Sequence, residues 1–481
     1  MALPPCGNHA TAAHLGRGDG SVTVRQAAIL AGGAGQKCWP YTTIRPKALL
    51  PVGNRPIVDR LVEQLRDAGI KRIAVATGNH PVAMRRHLSG AEDVTPVEDD
   101  GVGTAEAFER CLDALDRTEP VLVCYGDVVT ADRNVVGIAD TLTEDAGLDG
   151  MVLIDPMPRE DPRGWIAAQQ ADGELTRFVG AARSGSHRFG GIAAFRPSAY
   201  HELAGGSAVM DEVPVGGMPD QEATLEAAVN AAQTAGSRIG TLETESLHVD
   251  VDKPWHVLEA NHRLARDRVG RLEEDDIHPE ATIDESARID GNVHAGANAT
   301  IGRDVHIRGN VWIEPDAVIT DGAMVGGNCI IGSDATLADY CRLRGTSVVG
   351  RGCRLRQTTE FGGVLFPGVA IVHYGQLTGV VGRHTDIGAG TVSGGLRFDD
   401  ARSVHETNGF KEMPENGANS VYLGDHARTG VNVTLLPGVT VGTYACVGPG
   451  AIVEEDVPDR TLLRVHQERT EHEWGPERYG W

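Results

Sequence analysis

The C-terminal half of the chain follows a six-residue pattern of apolar and polar positions. From Ala281 to Thr358 the sequence divides into thirteen consecutive hexads without an insertion, beginning ATIDES, ARIDGN and VHAGAN. Twelve of the thirteen third positions are Ile, Val or Leu, and seven of the sixth positions are Asn or Asp, which tolerate the positive φ of tight turns. Because a period of six matches neither a helix nor a simple two-faced strand, each hexad is predicted to form one short strand and one turn. The pattern therefore predicts a parallel β-helix whose third positions face inward.

The hexad pattern is interrupted twice before it ends. It breaks at residues 359–374 and again at residues 396–420, and it returns from Val421 to Asp456. Insertions into a regular β-helix project from it, and such loops carry function more often than the scaffold does. We therefore predict a β-helix over residues 281–460 with two long loops, followed by a C-terminal tail at residues 461–481.

Before residue 271 the pattern changes to short apolar runs that alternate with amphipathic stretches. VRQAAILAGG, KRIAVATG and EPVLVCYGD have the character of strands, whereas PIVDRLVEQLRDAG has helical spacing. This alternation predicts an α/β domain, Rossmann-like with a mixed and mostly parallel sheet, over residues 24–270. A loose leader is expected at residues 1–23, and a linker containing RLEEDD is expected at residues 271–280.

The net charge and the hydropathy of the chain argue against several classes of binding partner. The formal net charge is −23, and the chain has no apolar run long enough to span a membrane. Nucleic acids and anionic membranes bind basic surfaces, so neither is expected as a partner. The eight cysteines form no CxxC pair, which argues against a zinc ribbon. We expect a cytoplasmic protein that acts on small molecules.

A glycine-rich segment follows the first predicted strand. Residues 30–56 read LAGGAGQKCWPYTTIRPKALLPVGNRP. The segment can wrap a polyphosphate with backbone N–H groups at three glycines: Gly32, Gly33 and Gly35. Lys37 and Lys47 can neutralise the charge of that polyphosphate. The segment lacks the third glycine of a Rossmann fingerprint and the Ser or Thr of a Walker loop, so it predicts a phosphate site of another kind.

The same segment resembles the signature of sugar-1-phosphate nucleotidylyltransferases. That signature combines a Gly-rich loop, a basic residue, Pro-x-Thr, Pro-Lys and Pro-Val, and it is matched here by Pro40, Thr42, Pro46, Lys47, Pro51 and Val52. The resemblance implies that the loop binds a nucleoside triphosphate through Ala31, Gly32, Gly33 and Gly35. It also implies that Lys37 and Lys47 are catalytic and steady the α-phosphate and the departing pyrophosphate. The family usually has Arg at the position of Lys37.

Two further elements resemble the parts of this family that surround the base. Gly103 and Thr104 correspond to a Gly-Thr-Ala element that closes over the base. Five residues before Gly103 the family commonly uses Gln to read a pyrimidine edge, and this chain has Glu98. An ionised carboxylate only accepts hydrogen bonds, so the preferred base, uracil or thymine, is left open.

Two aspartates are the candidate ligands of a metal ion. Asp127 ends the predicted strand EPVLVCYGD, and Asp250 matches the acidic position of the family's closing element in LHVDVDKPWHVLEANHRL, with Asp252 two residues on. Carboxylates from distant strands can hold one Mg²⁺ between two phosphates. Either aspartate alone is as readily explained as a solvated strand-end acid, but together with Lys47 the pair predicts a Mg²⁺ site.

The sugar region departs from the family. Gly164 and Gly191 stand where the family uses backbone glycines to bind the sugar. The family's Glu-Lys-Pro stretch is replaced by FVGAA at residues 178–182, so its sugar contacts cannot be transferred to this chain.

The C-terminal half resembles the left-handed β-helix of bifunctional enzymes that make UDP-N-acetylglucosamine, and of their archaeal relatives in particular. DIGAGT, LGDHARTGVN and LPGVTVG are similar to coils of that family. The resemblance implies assembly into a homotrimer or higher homo-oligomer, and it places His373 near the base that takes a proton from the sugar amine as acetyl-CoA is attacked. The alternative is that His373 is incidental and that the β-helix serves only for assembly.

Together these resemblances imply an enzyme that converts a nucleoside triphosphate and a sugar-1-phosphate into a nucleotide sugar and pyrophosphate. The expected substrates are UTP or dTTP with glucose- or N-acetylglucosamine-1-phosphate, and Mg²⁺ is the expected cofactor. An acetyl-CoA-dependent acetyltransferase activity on an amino-sugar phosphate is a further hypothesis. The departures at Lys37, Glu98 and FVGAA support an alternative, a catalytically degenerate regulatory or scaffolding subunit of a nucleotide-sugar pathway.

Overall fold

The computed structural model describes residues 23–99, 103–159, 164–180, 185–204, 223–407 and 409–478. Residues 1–22 of the predicted leader and residues 181–182 of the FVGAA stretch lie outside the described residues. No helix in these ranges is long and apolar enough to cross a membrane.

In the described residues the N-terminal domain contains thirteen strands and seven α-helices. The strands are β1 Gln26–Leu30, β2 Pro51–Val52, β3 Arg55–Pro56, β4 Arg72–Ala76, β5 Val94–Val97, β6 Val121–Tyr125, β7 Val128–Thr130, β8 Gly150–Pro156, β9 Ala167–Ala171, β10 Glu174–Val179, β11 His187–Phe195, β12 Ile239–Glu243 and β13 His248–Asp250. The helices are α1 Ile57–Asp67, α2 Pro81–Leu88, α3 Thr104–Asp113, α4 Asp132–Glu144, α5 Tyr200–Leu203, α6 Leu225–Thr234 and α7 Pro254–Gly270.

Nine of these strands form one mixed sheet in the order β5-β4-β1-β6-β11-β8-β12-β10-β9. Strands β5, β4, β1 and β6 run parallel, and β11 runs antiparallel between β6 and β8. The apolar runs of the sequence supply the buried centre, since all five residues of β1 are buried. Helix α1 covers the sheet with an apolar stripe at helical spacing: Ile57, Val58, Leu61, Val62 and Leu65. The predicted α/β domain with a mostly parallel sheet is confirmed.

The C-terminal domain is built from short strands. They are β14 Asp276–Ile277, β15 Thr282–Ile283, β16 Arg288–Ile289, β17 Val293–Ala295, β18 Thr300–Ile301, β19 His306–Arg308, β20 Val311–Ile313, β21 Val318–Ile319, β22 Met324–Gly326, β23 Cys329–Ile331, β24 Thr336–Leu337, β25 Arg342–Leu343, β26 Val348–Val349, β27 Arg354–Leu355, β28 Glu360–Leu365, β29 Ala370–Ile371, β30 Gln376–Val381, β31 Val392–Ser393, β32 His405–Thr407, β33 Phe410–Glu412, β34 Val421–Leu423, β35 Arg428–Thr429, β36 Thr434–Leu435, β37 Thr440–Val441, β38 Cys446–Val447, β39 Ile452–Val453 and β40 Leu462–Leu463.

These strands stack in parallel with a spacing of 18 residues through the regular part, so that three hexads make one coil. Thr300 pairs with Val318, and Val318 pairs with Thr336. The third hexad positions from Ala295 to Leu355 are at most 1% exposed and fill the interior. The predicted left-handed β-helix is confirmed.

The β-helix extends beyond its predicted limits at both ends. Strand β14 lies within the predicted linker, because Asp276 and Ile277 already pair with the coil above them. Strand β40 pairs with β38 beyond residue 460. In the first coil Ile283 is 39% exposed, since no coil lies below it to cover its inward position.

The loop predicted at residues 359–374 is not present. Strand β28 instead crosses a corner of the β-helix, pairing with β25 at its start and with β26 at its end. The coil is thereby shortened to 16 residues, as Glu360 pairs with Gln376. Gly363 has φ +125°, and a Cβ there would lie 2.1 Å from the Gly379 carbonyl oxygen, so glycine allows this corner.

The second interruption does leave the coil. Val392 pairs with Thr434, a separation of 42 residues, and the intervening chain carries the β32–β33 hairpin. We call residues 396–420 the excursion. It returns toward the N-terminal domain, where the Trp255 ring lies 5.1 Å from that of His405.

The two domains share one apolar core. Six buried residues of the β-helix belong to the same cluster as β1 and α1: Ile330, Val348, Val364, Phe366, Val380 and Tyr422. Tyr41 donates a hydrogen bond to the Val380 carbonyl (2.7 Å), and its ring lies 5.2 Å from that of Phe366. Arg45 forms a buried ion pair with Asp425. The glycine-rich segment therefore rests directly on the β-helix.

Candidate active site

Two aspartates from distant parts of the chain meet at the carboxyl end of the sheet. Asp127 follows β6, and Asp250 ends β13. Strand β13 pairs antiparallel with β7, so that Asp250 lies opposite Val128. The Val251 N–H donates a hydrogen bond of 2.9 Å to the Asp127 carbonyl. This pairing places the two predicted metal ligands side by side.

Lys47 lies at the centre of this acidic cluster. Its Nζ is 2.6 Å from Asp127 Oδ2 and 3.2 Å from Asp252 Oδ1. Burial acts to lower the pKa of Lys47, but the carboxylates of Asp127, Asp252 and Asp250 outweigh it and raise that pKa well above its usual range. Lys47 is therefore a permanent positive charge at this point. Lys37 is more exposed and lies 3.4 Å from Asp252 Oδ2.

The folded protein disfavours the ionised form of the Asp250 carboxyl. Burial, and next the negative charge of Asp127, raise its pKa to about 6, against the opposing pull of Arg188 and Lys47. A cation bound by both carboxylates would relieve their repulsion. Asp127 and Asp250 therefore fit a divalent metal that prefers oxygen ligands, such as Mg²⁺. The described residues contain no group of three or more metal-ligating side chains, so phosphate oxygens and water would complete the coordination.

Asp252 takes a larger part in the site than its sequence position suggested. It pairs with both lysines. Although burial acts to raise it, Lys47 and Lys37 hold the pKa of Asp252 well below its usual range. The signal was its separation of two residues from Asp250, which places both side chains on the same side of an extended chain.

The glycine-rich loop adjoins the lysines. Gly35 has φ +67°, and a Cβ there would lie 2.9 Å from Lys47 Cγ, so only glycine brings the loop this close. The Gly35 carbonyl accepts a hydrogen bond of 2.8 Å from Thr42 Oγ1. Gly33 faces open space, whereas the Ala31 N–H is already donated to the Ala76 carbonyl within the sheet.

Gly32 lies against a second loop. A Cβ on Gly78 would lie 2.1 Å from the Gly32 carbonyl oxygen, and a Cβ on Gly32 would lie 2.6 Å from Asp99 Oδ2. The Gly78 N–H donates a hydrogen bond to Asp99. Glu98, in contrast, is exposed and forms an ion pair with Arg85 of α2. The carboxylate beside the glycine-rich loop is thus that of Asp99, which sequence reasoning did not select.

Gly103 and Thr104 lie at the start of α3. Gly103 has φ +149°, and a Cβ there would lie 2.3 Å from the Ala223 carbonyl oxygen. Thr104 Oγ1 accepts a hydrogen bond of 2.8 Å from the Leu225 N–H. The two residues therefore join α3 to the start of α6.

The two glycines predicted to bind the sugar have different surroundings. Gly191 has φ +70°, and a Cβ there would lie 2.7 Å from Val128 Cγ2, so it lets β11 pass close behind the Asp127 loop. Gly164 lies near Lys253, whose Nζ would be 3.7 Å from a Cβ at Gly164.

His373 is remote in sequence from this cluster and lies on the β-helix. It is exposed, and its Nδ1 lies 2.8 Å from Gln357 Oε1. An amide oxygen only accepts hydrogen bonds, so Nδ1 carries the proton and Nε2 is the basic nitrogen of the neutral ring.

The fold and this cluster of lysines and aspartates are those expected of a nucleotidyltransferase. Residues 26–180 match the model of the nucleotidyl transferase family, and residues 273–391 match the model of the GMPPB C-terminal domain. The predicted enzyme class, a nucleotidyltransferase, is confirmed.

Particular relatives extend over different shares of the chain. A bifunctional sugar-1-phosphate nucleotidylyltransferase/acetyltransferase of Sulfurisphaera tokodaii is 25% identical over 449 residues, which cover 92% of this chain and 100% of that protein. The bifunctional protein GlmU of Ralstonia nicotianae is 33% identical over 153 residues, which cover 31% of this chain and 32% of GlmU. A solved UDP-glucose pyrophosphorylase in complex with UDP-glucose is 16% identical with a TM-score of 0.43, and the match covers 51% of this chain and 100% of that chain.

Proposed function

We propose that the N-terminal domain transfers a nucleotidyl group from a nucleoside triphosphate to a sugar-1-phosphate. A phosphate oxygen of the sugar phosphate attacks the α-phosphorus of the triphosphate, the bond to the β-phosphate breaks, and pyrophosphate leaves. The observation that carries the proposal is the meeting of Lys47 with Asp127 and Asp252, with Asp250 beside them. The nucleophile is already ionised, so no general base is required.

We assign a role in the reaction to the glycine-rich loop and to each lysine from its position. The glycine-rich loop would hold the triphosphate, with Gly33 facing the open side. Lys47 is held in place by carboxylates, and Lys37 lies beside Asp252, so both place positive charge where negative charge would develop on the departing pyrophosphate. Preorganised charges of this kind stabilise a transition state without reorganisation during the reaction.

Asp127 and Asp250 would hold Mg²⁺. When bound, the ion supplies charge neutralisation between the two reacting phosphates. Asp127 also pairs with Lys47, and Asp250 Oδ2 lies 3.8 Å from Arg188 Nη1, so positive side chains flank both carboxylates.

The substrates that we propose are UTP or dTTP with glucose- or N-acetylglucosamine-1-phosphate. The names of the bifunctional relatives support a sugar-1-phosphate. Glu98 is engaged with Arg85, so reading of the base through that carboxylate would require the ion pair to open.

The test is a pyrophosphate-release screen over four triphosphates and several hexose-1-phosphates with MgCl₂. Asp127→Asn should abolish turnover. Asp172→Asn is the matched control, because Asp172 occupies an exposed turn at φ +53°, which Asn also tolerates. If no pair of substrates turns over, the proposal fails and the scaffolding subunit becomes the better description.

A second candidate activity is acetyl transfer at His373. The supporting observation is the hydrogen bond to Gln357, which orients an exposed ring with its basic nitrogen free of that contact. In this reaction the sugar amine attacks the thioester carbonyl of acetyl-CoA, the amine proton passes to His373, and coenzyme A leaves. Thiol release with glucosamine-1-phosphate should be lost in His373→Ala and kept in His466→Ala, a change in the exposed tail. Equal thiol release by both variants would remove His373 from the reaction.

We also propose that the β-helix mediates assembly into a homotrimer. Exposed apolar residues surround the region of His373: Tyr374, Val392, Val431 and Ile452. Val392 and Ile452 both pair with the intervening strand β36, so they lie on one face. Exposed apolar side chains on one face favour association. Sedimentation velocity should show a trimer in the wild type and a monomer in a Val392→Glu/Ile452→Glu variant; a wild-type monomer contradicts the proposal.

A further inference from the structure

A cavity of about 430 Å³ is lined in part by Asp250. This volume falls within the ~300–1,000 Å³ range of small-molecule sites. Its walls come from β8, β11, β13 and α7 of the N-terminal domain, and from residues 415–416 of the excursion. The cavity is therefore formed by both domains.

A buried cation lies at the end of this cavity next to Asp250. Arg188 is 6% exposed, and its Nε and Nη2 donate to Asp155 Oδ2 at 3.1 and 2.9 Å. Among the described residues its Nη1 has no hydrogen-bond partner, and it lies 3.8 Å from Asp250 Oδ2. The guanidinium also lies 4.0 Å above the ring of Trp165. A buried guanidinium nitrogen without a hydrogen bond is costly unless a ligand supplies the acceptor, and a phosphate is the preferred acceptor.

The β-helix domain contributes Glu415 and Asn416 to the lining of the cavity. Lys253 and Glu412 form a buried ion pair that fixes the excursion to the start of α7. This anchor, together with the contact between His405 and Trp255, holds Glu415 and Asn416 over the cavity. Glu415 is 47% exposed and lies 3.7 Å from Arg159, so its carboxylate remains accessible from the cavity.

We propose that the sugar-1-phosphate binds in this cavity, with its phosphate at Arg188 and its sugar hydroxyls at Glu415 and Asn416. The β-helix domain thereby supplies part of the sugar specificity of the N-terminal reaction. This inference rests on the proposed function. The phosphate end adjoins Asp250, as transfer requires, and the sugar end offers a carboxylate and an amide, which accept and donate hydrogen bonds to hydroxyl groups.

The test compares the KM values for the two substrates in wild type, Glu415→Ala, Glu415→Gln and Asn416→Ala. Loss of a hydrogen bond to a charged acceptor should raise the KM for the sugar-1-phosphate about tenfold in Glu415→Ala. Glu415→Gln should have a smaller effect, because its amide oxygen still accepts a hydrogen bond. The KM for the triphosphate should stay unchanged in every variant.

Asp400→Asn is the matched control, since Asp400 is an exposed carboxylate on the same excursion that does not line the cavity. It should leave both KM values at the wild-type level. If the enzyme is active but all three variants keep the wild-type KM for the sugar phosphate, the two-domain sugar site is refuted while the proposed function stands. If both KM values rise together, the excursion affects the fold and not the sugar, and the inference also fails. Absence of wild-type turnover would overturn the proposed function itself.

Discussion

Replacing Asp250 with Asn should stabilise the metal-free protein at neutral and alkaline pH. The raised pKa of this carboxyl means that the folded state binds its proton more tightly than the unfolded state does. The stabilising contribution of that proton is fully present below the usual pKa of 3.8. This contribution is lost as the pH rises through about 6. Above that pH the ionised carboxylate destabilises the folded state.

The magnitude follows from the two pKa values. The interval between 3.8 and about 6, at about 1.36 kcal/mol for each pH unit, corresponds to about 3 kcal/mol. Asn cannot ionise, so the Asp250→Asn variant should exceed the wild type by up to about this free energy of unfolding at pH 8. The two proteins should converge toward pH 4, where the wild-type carboxyl is protonated.

Urea unfolding in the presence of EDTA, followed at several pH values, measures this difference. MgCl₂ should stabilise the wild type at pH 8 and leave Asp250→Asn unaffected. Asp252→Asn is the matched control: its pKa is lowered by Lys47 and Lys37, so its removal should destabilise the protein at pH 8. If Asp250→Asn is less stable than the wild type at pH 8, or if the two substitutions act in the same direction, the electrostatic reasoning is wrong.

Three other predictions follow from single contacts. Lys47→Met should lower kcat by roughly 10²–10³-fold, measured as pyrophosphate release, because a preorganised charge is lost; wild-type kcat would contradict its role. Gly78→Ala should cost more than about 2 kcal/mol of unfolding free energy, since its φ is +41° and its Cβ would meet backbone, whereas Gly33→Ala, which faces open space, should be nearly neutral. Tyr41→Phe should cost about 1 kcal/mol by removing the hydrogen bond to Val380, and an unchanged urea midpoint would show that this bond does not contribute.

The regular part of the β-helix was predictable because the third position of nearly every hexad is an aliphatic residue. The inward positions from Ile301 to Leu355 are buried as the hexads require. The shortened coil was not predictable in the same way. At Gly363 a continuous strand crosses the corner, so the turn residues that mark each hexad are missing, and the same pattern in sequence is typical of a loop.

The sequence allowed prediction of the acidic residues that lie at strand ends. It did not allow prediction of contacts that form only when side chains are buried. Asp127 follows β6 and Asp250 ends β13, and the resemblance to a known family linked them. Arg188 gave no such signal, because its position beside Asp250 arises only when β11 and β13 come together. Glu98 matched a family position, yet its ion pair with Arg85 depends on the placement of α2.

The attachment of the glycine-rich segment to the β-helix has a practical consequence. Trp39 and Thr43 donate hydrogen bonds to Asp459, and the Pro40 carbonyl accepts one from Thr443. A fragment that ends at residue 270 would lose all of these supports and expose Tyr41. The N-terminal domain therefore depends on the β-helix for its fold. A chimera that joins it to a different β-helix would have to reproduce these hydrogen bonds. Without them the chimera should fold poorly, even with every catalytic residue in place.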